Sequence, residues 1–168
     1  YLFFVYPICP EFEHLVAMAA PNSGMEDGEL MLLRANFIAP LHLVVLVAMY
    51  RYYFYQHRLE DALLVAESTM AVVGRRLEFP ESWRHLREAN VGEAVMRSMG
   101  LLRFYLMVLK ATGYINLRLG EYDTGQAMLE KLVELDSHDR IGGKALLEVV
   151  QQSMVNEANV ERNSRWTN

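Results

Sequence analysis

The stretch "LMVLKATGYINLRLGEYDTGQAMLEKLVELDSHD", Leu106 to Asp139, decides how the rest of the chain is read. Its apolar residues recur three and four positions apart, the spacing of amphipathic helices, and they predict helices over 101–119 and 121–135. Two glycines, Gly113 and Gly125, stand inside those helices, where each costs about 1 kcal/mol of helix propensity. A glycine kept inside a helix usually has a packing reason. Here it permits two helices to approach closely.

The segment resembles a single tetratricopeptide repeat over its full length of about 34 residues. Gly113 stands at the family's small-residue position in the first helix, and Gly120-Glu121-Tyr122-Asp123 matches the turn between helices. Gly125 replaces the usual alanine at the tightest contact, and Leu129 replaces a larger apolar residue. The ending "VELDS" carries Ser137 where proline is expected, and Leu109 takes the place of an early ring. The resemblance implies an antiparallel pair over 101–135 that turns at Gly120 and crosses at Gly113 and Gly125. A poorer copy starts near Leu43, with Leu59-Glu60-Asp61-Ala62 of "YQHRLEDALLVAEST" aligned on Tyr122-Asp123-Thr124-Gly125. It puts Tyr50 at the small-residue position, where a ring would push the helices apart. Ala62 and Gly125 are 63 residues apart, nearly two repeat lengths, and "FPESWRHLREANVGEAVMRSMG" between the copies reads as a degenerate repeat or an insertion.

The expected fold is therefore all-α: stacked antiparallel helical hairpins, tetratricopeptide-like, in one domain over 1–158 with a polar tail at 159–168. One hairpin cannot bury its apolar face alone, so neighbours stack to share a core. The remaining apolar spacing predicts helices near 10–20, 27–38, 41–57, 59–77, 80–89, 92–99 and 139–157. Breaks are expected at Ala20 to Gly28, Ala39-Pro40, Glu78 to Ser82 and Gly100. The last helix, capped by Asp139 and carrying the stripe Ile141, Ala145, Leu146, Val149 and Val150, would seal the stack. In the tail only Trp166 is expected to dock.

Composition narrows the function. A hydrophobic share of 52% and a charged share of 22% are ordinary for a globular chain, while a net charge of -5 argues against general nucleic-acid binding. The single Cys9 makes neither an internal disulfide nor a multi-cysteine metal site, which points to a reducing, cytoplasmic setting. The apolar opening "YLFFVYPICP" is short and holds Pro7 and Pro10. The run Phe37 to Tyr50 lasts 14 residues, against about 20 for a spanning helix, so no transmembrane helix is expected.

No catalytic constellation emerges. Glu11-x-x-His14 has the spacing used twice in di-iron bundles but occurs once, and His85 with Glu88 runs in the reverse order. Gly143-Lys144 lacks the first glycine of a phosphate loop, and Ala145 stands where serine or threonine would hold magnesium. Asp136 and Asp139 lack the further ligands of a calcium loop. Cys9, between Ile8 and Pro10, has no cation beside it in sequence. The expectation is a non-enzyme without metal or cofactor.

Binding residues are more legible. "MYRYYFYQHR", Met49 to Arg58, packs five rings, two arginines and a histidine into ten positions. The resemblance implies that first helices line a groove, which assigns it Val47, Arg51, Phe54 and Tyr55 from one copy. From the other it assigns Met107, Lys110, Tyr114, Leu117 and Arg118, while Tyr50 and Tyr53 point inward. Clamps of this family for C-terminal carboxylates use asparagine where Tyr114 stands, so that mode is not expected. The function so read is protein–protein interaction: an adaptor, assembly factor or chaperone that takes an acidic or extended segment of a partner protein. The alternatives are a self-assembling subunit built on the apolar N-terminal segment, hence a homo-oligomer, or a helical-bundle metal enzyme at Glu11 and His14.

Overall fold

The computed structural model describes residues 25–153. Five α-helices lie within them: α1 (Met25–Ile38), α2 (Leu43–Tyr55), α3 (Leu59–Arg76), α4 (Glu88–Arg118) and α5 (Tyr122–Leu135). One turn of 3₁₀ helix, Trp83–His85, precedes α4, and a sixth α-helix, α6, runs from 144 to the last described residue, 153. The described chain is all-α, without a strand. Each helix from α1 to α5 packs on the next in chain order, and the core runs through Leu32, Val45, Val73, Leu109, Ile115, Leu129 and Leu132. The expected helices at 10–20 and beyond 153, with Cys9, Glu11, His14 and the tail, lie outside the described residues.

α4 and α5 meet backbone to backbone. A Cβ built on Gly125 would stand 2.6 Å from Leu117 Cγ and 2.8 Å from the Gly113 carbonyl oxygen. One on Gly113 would stand 3.2 Å from Met128 Cβ and 3.3 Å from the Gly125 carbonyl oxygen. The two glycines thus sit at the crossing expected for them, and the chain turns at Gly120, whose φ is +87°.

Some features of the α4–α5 pair recur in the α2–α3 pair 63 residues earlier. α4 ends in a Schellman motif: the Gly120 amide donates to the Leu117 carbonyl at 3.2 Å and the Glu121 amide to the Asn116 carbonyl at 2.9 Å. α2 ends identically, with His57 donating to Phe54 at 3.1 Å and Arg58 to Tyr53 at 3.0 Å. His57 stands where Gly120 does and takes the same left-handed backbone at φ 58°. Buried positions follow the same spacing, among them Leu46 and Leu109, Tyr53 and Asn116, Ala62 and Gly125, and Ala66 and Leu129.

Four expected helices, 27–38, 41–57, 59–77 and 121–135, match α1, α2, α3 and α5 to within about two residues at each end. Three expectations need correction. Residues 80–87 hold no α-helix, and 88–89 already belong to α4: α3 closes on a left-handed Glu78, Pro80 follows, and Ser82 Oγ caps only the 3₁₀ turn through the Arg84 amide at 3.3 Å. The segment instead lays Leu77, Phe79 and Leu86 on the core, held by Lys131 Nζ donating to the Leu86 carbonyl at 3.1 Å. Second, 92–99 and 101–119 are one run, α4, whose kink falls at Ser98 (φ -164°, ψ 102°) and not at Gly100. Ser98 Oγ accepts the Leu101 amide at 3.2 Å, so a serine cap restarts the helix.

Third, α6 begins at 144, not 139, because two carboxylates hold the intervening loop. Asp136 Oδ2 accepts the Ile141 amide at 2.7 Å, and Asp139 Oδ1 accepts those of Gly143 at 2.7 Å and Lys144 at 3.1 Å. Asp139 caps α6 as expected, from further upstream.

Two stability changes follow from these backbones. Gly125→Ala forces the α4 and α5 backbones apart and should cost about 1–3 kcal/mol, read as a lowered Tm. His57→Gly removes a left-handed non-glycine residue and should stabilise by about 1 kcal/mol, read as a raised Tm; no rise would place the strain elsewhere.

Candidate binding face

α2 and α4 present their rings to the same side of the molecule. Tyr50 stacks on Phe54 with centroids 5.8 Å apart, and Phe54 meets Tyr55 edge-on at 5.9 Å. Phe54 also reaches Tyr114 of α4, centroid to centroid 6.3 Å, which joins the two hairpins through aromatic surface. Arg118 Nη1 donates to the Tyr114 hydroxyl at 3.1 Å, with its guanidinium 5.9 Å from the ring centre. Tyr55 is 63% exposed. Arg51 of α2 and Met107 and Arg118 of α4 are exposed as well.

Three residues assigned to that face work elsewhere. Leu117 packs against the α5 backbone at Gly125, since it is the side chain a Cβ there would strike. Lys110 Nζ donates to the Ile141 carbonyl at 2.9 Å, so its charge fastens the loop before α6. Val47 is partly buried against the core. The resemblance set all three beside the groove; the tightness of the α4–α5 crossing and the fold-back of the C-terminal loop draw Leu117 and Lys110 away.

The aromatic decapeptide divides its labour differently from the expectation. Tyr53 is buried, as expected, and its hydroxyl donates to Glu29 Oε1 at 3.3 Å. Arg58 closes that corner, 2.7 Å from Glu29 Oε2 and 2.7 Å from Asp61 Oδ2, with its guanidinium 4.7 Å from the Tyr53 ring centre. The arginine fastens α1 to the α2–α3 turn, a role that the sequence reading missed. Tyr50 is half-buried: it packs against the core, as expected, and also stacks on Phe54. Burial raises the pKa of its hydroxyl, and the neighbouring Tyr55 and Tyr114 hydroxyls add to that.

Sequence reading also missed a cavity of about 440 Å3 on the other side of α4, walled by Phe79 and Trp83 and floored by Tyr105. Its signal was the pair of rings flanking Pro80, hidden by treating that stretch as a break. Among the described residues no three His, Cys, Asp or Glu side chains converge as a metal site requires. No helix among them is long and apolar enough to cross a membrane.

No protein-family model and no solved structure matches the chain. It is similar to the "Uncharacterized 19.8 kDa protein in nifW 5'region" of Azotobacter chroococcum mcd 1, 45% identical over 152 residues, or 90% of this chain and 85% of that protein. The chain belongs to the family of that Azotobacter protein. As one stretch, an alignment of that length takes in both hairpins.

The buried phenol makes a pH prediction. Burial first, then the Glu29 carboxylate, pushes the Tyr53 hydroxyl from 10.0 up to about 12. The folded chain therefore holds this proton more tightly than the unfolded chain does. That contribution is full below pH 10 and is lost as the pH rises to about 12. Denaturant unfolding between these pH values should show stability falling, and Tyr53→Phe should flatten the decline.

Proposed function

We propose that this protein is a non-catalytic protein–protein interaction module, built of tetratricopeptide-like hairpins, that binds an extended, acidic segment of a partner across the α2–α4 face. The contact between Phe54 and Tyr114 carries the reading, because it makes one aromatic surface from two hairpins, with exposed arginines at Arg51 and Arg118. Aromatic and arginine side chains concentrate binding energy at interfaces. They do so here at low entropic cost, since the rings already hold each other in place. The recurrence of hairpin turn and burial at 63 residues supports a repeat scaffold. Adaptor, assembly factor and chaperone are the roles that fit such a face, in the cytoplasm, with no nucleic acid and no cofactor. The related Azotobacter protein is encoded in the 5′ region of nifW, which makes the nifW product the first partner to try.

The test pairs fold with binding. Arg51→Ala combined with Arg118→Ala should keep the helical circular dichroism and the Tm, because neither side chain is buried. Affinity for the partner recovered by wild-type protein should fall by about tenfold or more, and wild-type association should slow as salt rises. Full-strength binding by the double variant would sink the assignment.

Self-association is the second reading, favoured by α1, where Phe37 is 89% and Ile38 is 70% exposed. Sedimentation over a range of concentrations separates the two: a partner-binding monomer keeps one sedimentation coefficient, and a self-assembling subunit does not.

A further inference from the structure

The cavity behind α4 has the size and lining of a ligand site. Its volume of about 440 Å3 falls within the usual range for small-molecule pockets. The segment after α3 covers it and is held in place: the Phe79 amide donates to the Gly74 carbonyl at 2.9 Å, Glu78 pairs with Arg97, and Lys131 anchors Leu86. The cover is therefore preformed.

Three rings line it. Phe79 meets Tyr105 edge-on with centroids 5.0 Å apart, and Trp83 lines the same space. The indole already carries a cation, since the Arg84 guanidinium sits 4.3 Å from its centre. Tyr105 is only 3% exposed, but its hydroxyl opens on the cavity and makes no hydrogen bond to another described residue. Burial alone pushes that hydroxyl above its ordinary pKa, so it stays neutral, with both a lone pair and a proton to offer. At the mouth stand Glu67, Glu81 and Arg75, all exposed and none in an ion pair among the described residues. Among the lining residues two carboxylates stand against one guanidinium, while Arg84 lies outside the lining on the indole.

We infer that this cavity binds an alkylammonium group: the aromatic rings hold the alkyl chain and the cation, the Tyr105 hydroxyl accepts one N–H, and Glu67 and Glu81 balance the charge. Ring faces attract cations, and an unpaired polar group in an apolar wall favours a guest that satisfies it. The ammonium belongs to a free amine or to a lysine side chain of a bound peptide. Either way the site is independent of the α2–α4 face: Tyr105 and Tyr114 are nine residues apart, about 180° around α4.

Trp83 reports occupancy once the second tryptophan is removed by Trp166→Phe. In that background, pentylammonium should shift the Trp83 emission saturably and bind at least about fivefold tighter than pentanol, with hexanoate weaker still. Glu67→Gln with Glu81→Gln should bring pentylammonium down to the affinity of pentanol and leave pentanol unchanged, a pattern that general loss of structure would not produce. Tyr105→Phe should weaken pentylammonium while circular dichroism is preserved. Binding of Nα-acetyl-lysinamide as tight as that of pentylammonium assigns the site to a lysine side chain; weaker binding assigns it to a free amine. Equal affinity for pentanol and pentylammonium, preference for hexanoate, or no response to any probe would overturn the inference.

Discussion

The backbone contact between α4 and α5 is the constraint from which the rest of the structure follows. With Gly113 and Gly125 in register, the α5 backbone approaches the Gly113 carbonyl so closely that any Cβ on Gly125 would fall 2.8 Å from that oxygen. At that separation Leu117 has to lie against Gly125, and Met128 comes under Gly113. The sides of α4 are assigned by the same contact. Leu109, Thr112, Gly113 and Asn116 turn into the core, Tyr114 and Arg118 turn toward α2, and Tyr105 with Met128 lines the cavity. One close crossing thereby orients two candidate surfaces on opposite sides of one helix.

Helix ends set the remaining geometry. α2, α3 and α4 all close by donating the amide beyond a left-handed residue back to the last turn, at His57, Glu78 and Gly120. Only Gly120 has the residue that this conformation favours. At α2 compensation comes from Arg58, which covers the Tyr53 ring and bonds both Glu29 and Asp61, so that one side chain closes the turn and fastens α1. At α3 the residue after Glu78 is Phe79, and its amide bond to Gly74 starts the cavity's cover.

Helix positions were legible because apolar spacing is a repeated, additive signal, and α1, α2, α3 and α5 follow it closely. The crossing at Gly113 and Gly125 was legible because two glycines at a helix-propensity cost are hard to explain otherwise. What stayed hidden depended on single polar atoms or on distant parts of the chain. One hydroxyl, Ser98 Oγ, decides where α4 bends, and nothing in the spacing separates it from the neighbouring Gly100. Lys110 sits in a stripe with Tyr114 and Arg118, but its partner is a carbonyl 31 residues onward, and no local pattern announces such a bond. The Tyr105 cavity requires a cover from the interval between hairpins, which spacing described only as an interruption.

Tyr50 bears on both the resemblance and the candidate face. It stands where the other hairpin has Gly113, and a ring kept between α2 and α3 would separate them. The structure keeps the Schellman turn and the buried pattern of that hairpin and leaves the ring half-buried, against the core and stacked on Phe54. Phe54 is thereby braced on one side by Tyr50 and reaches Tyr114 on the other. The ring that braces Phe54 thus stands at the position equivalent, 63 residues earlier, to Gly113. Local rules are most often broken where a surface serves something other than folding. A glycine at position 50 would remove the ring on which Phe54 stacks.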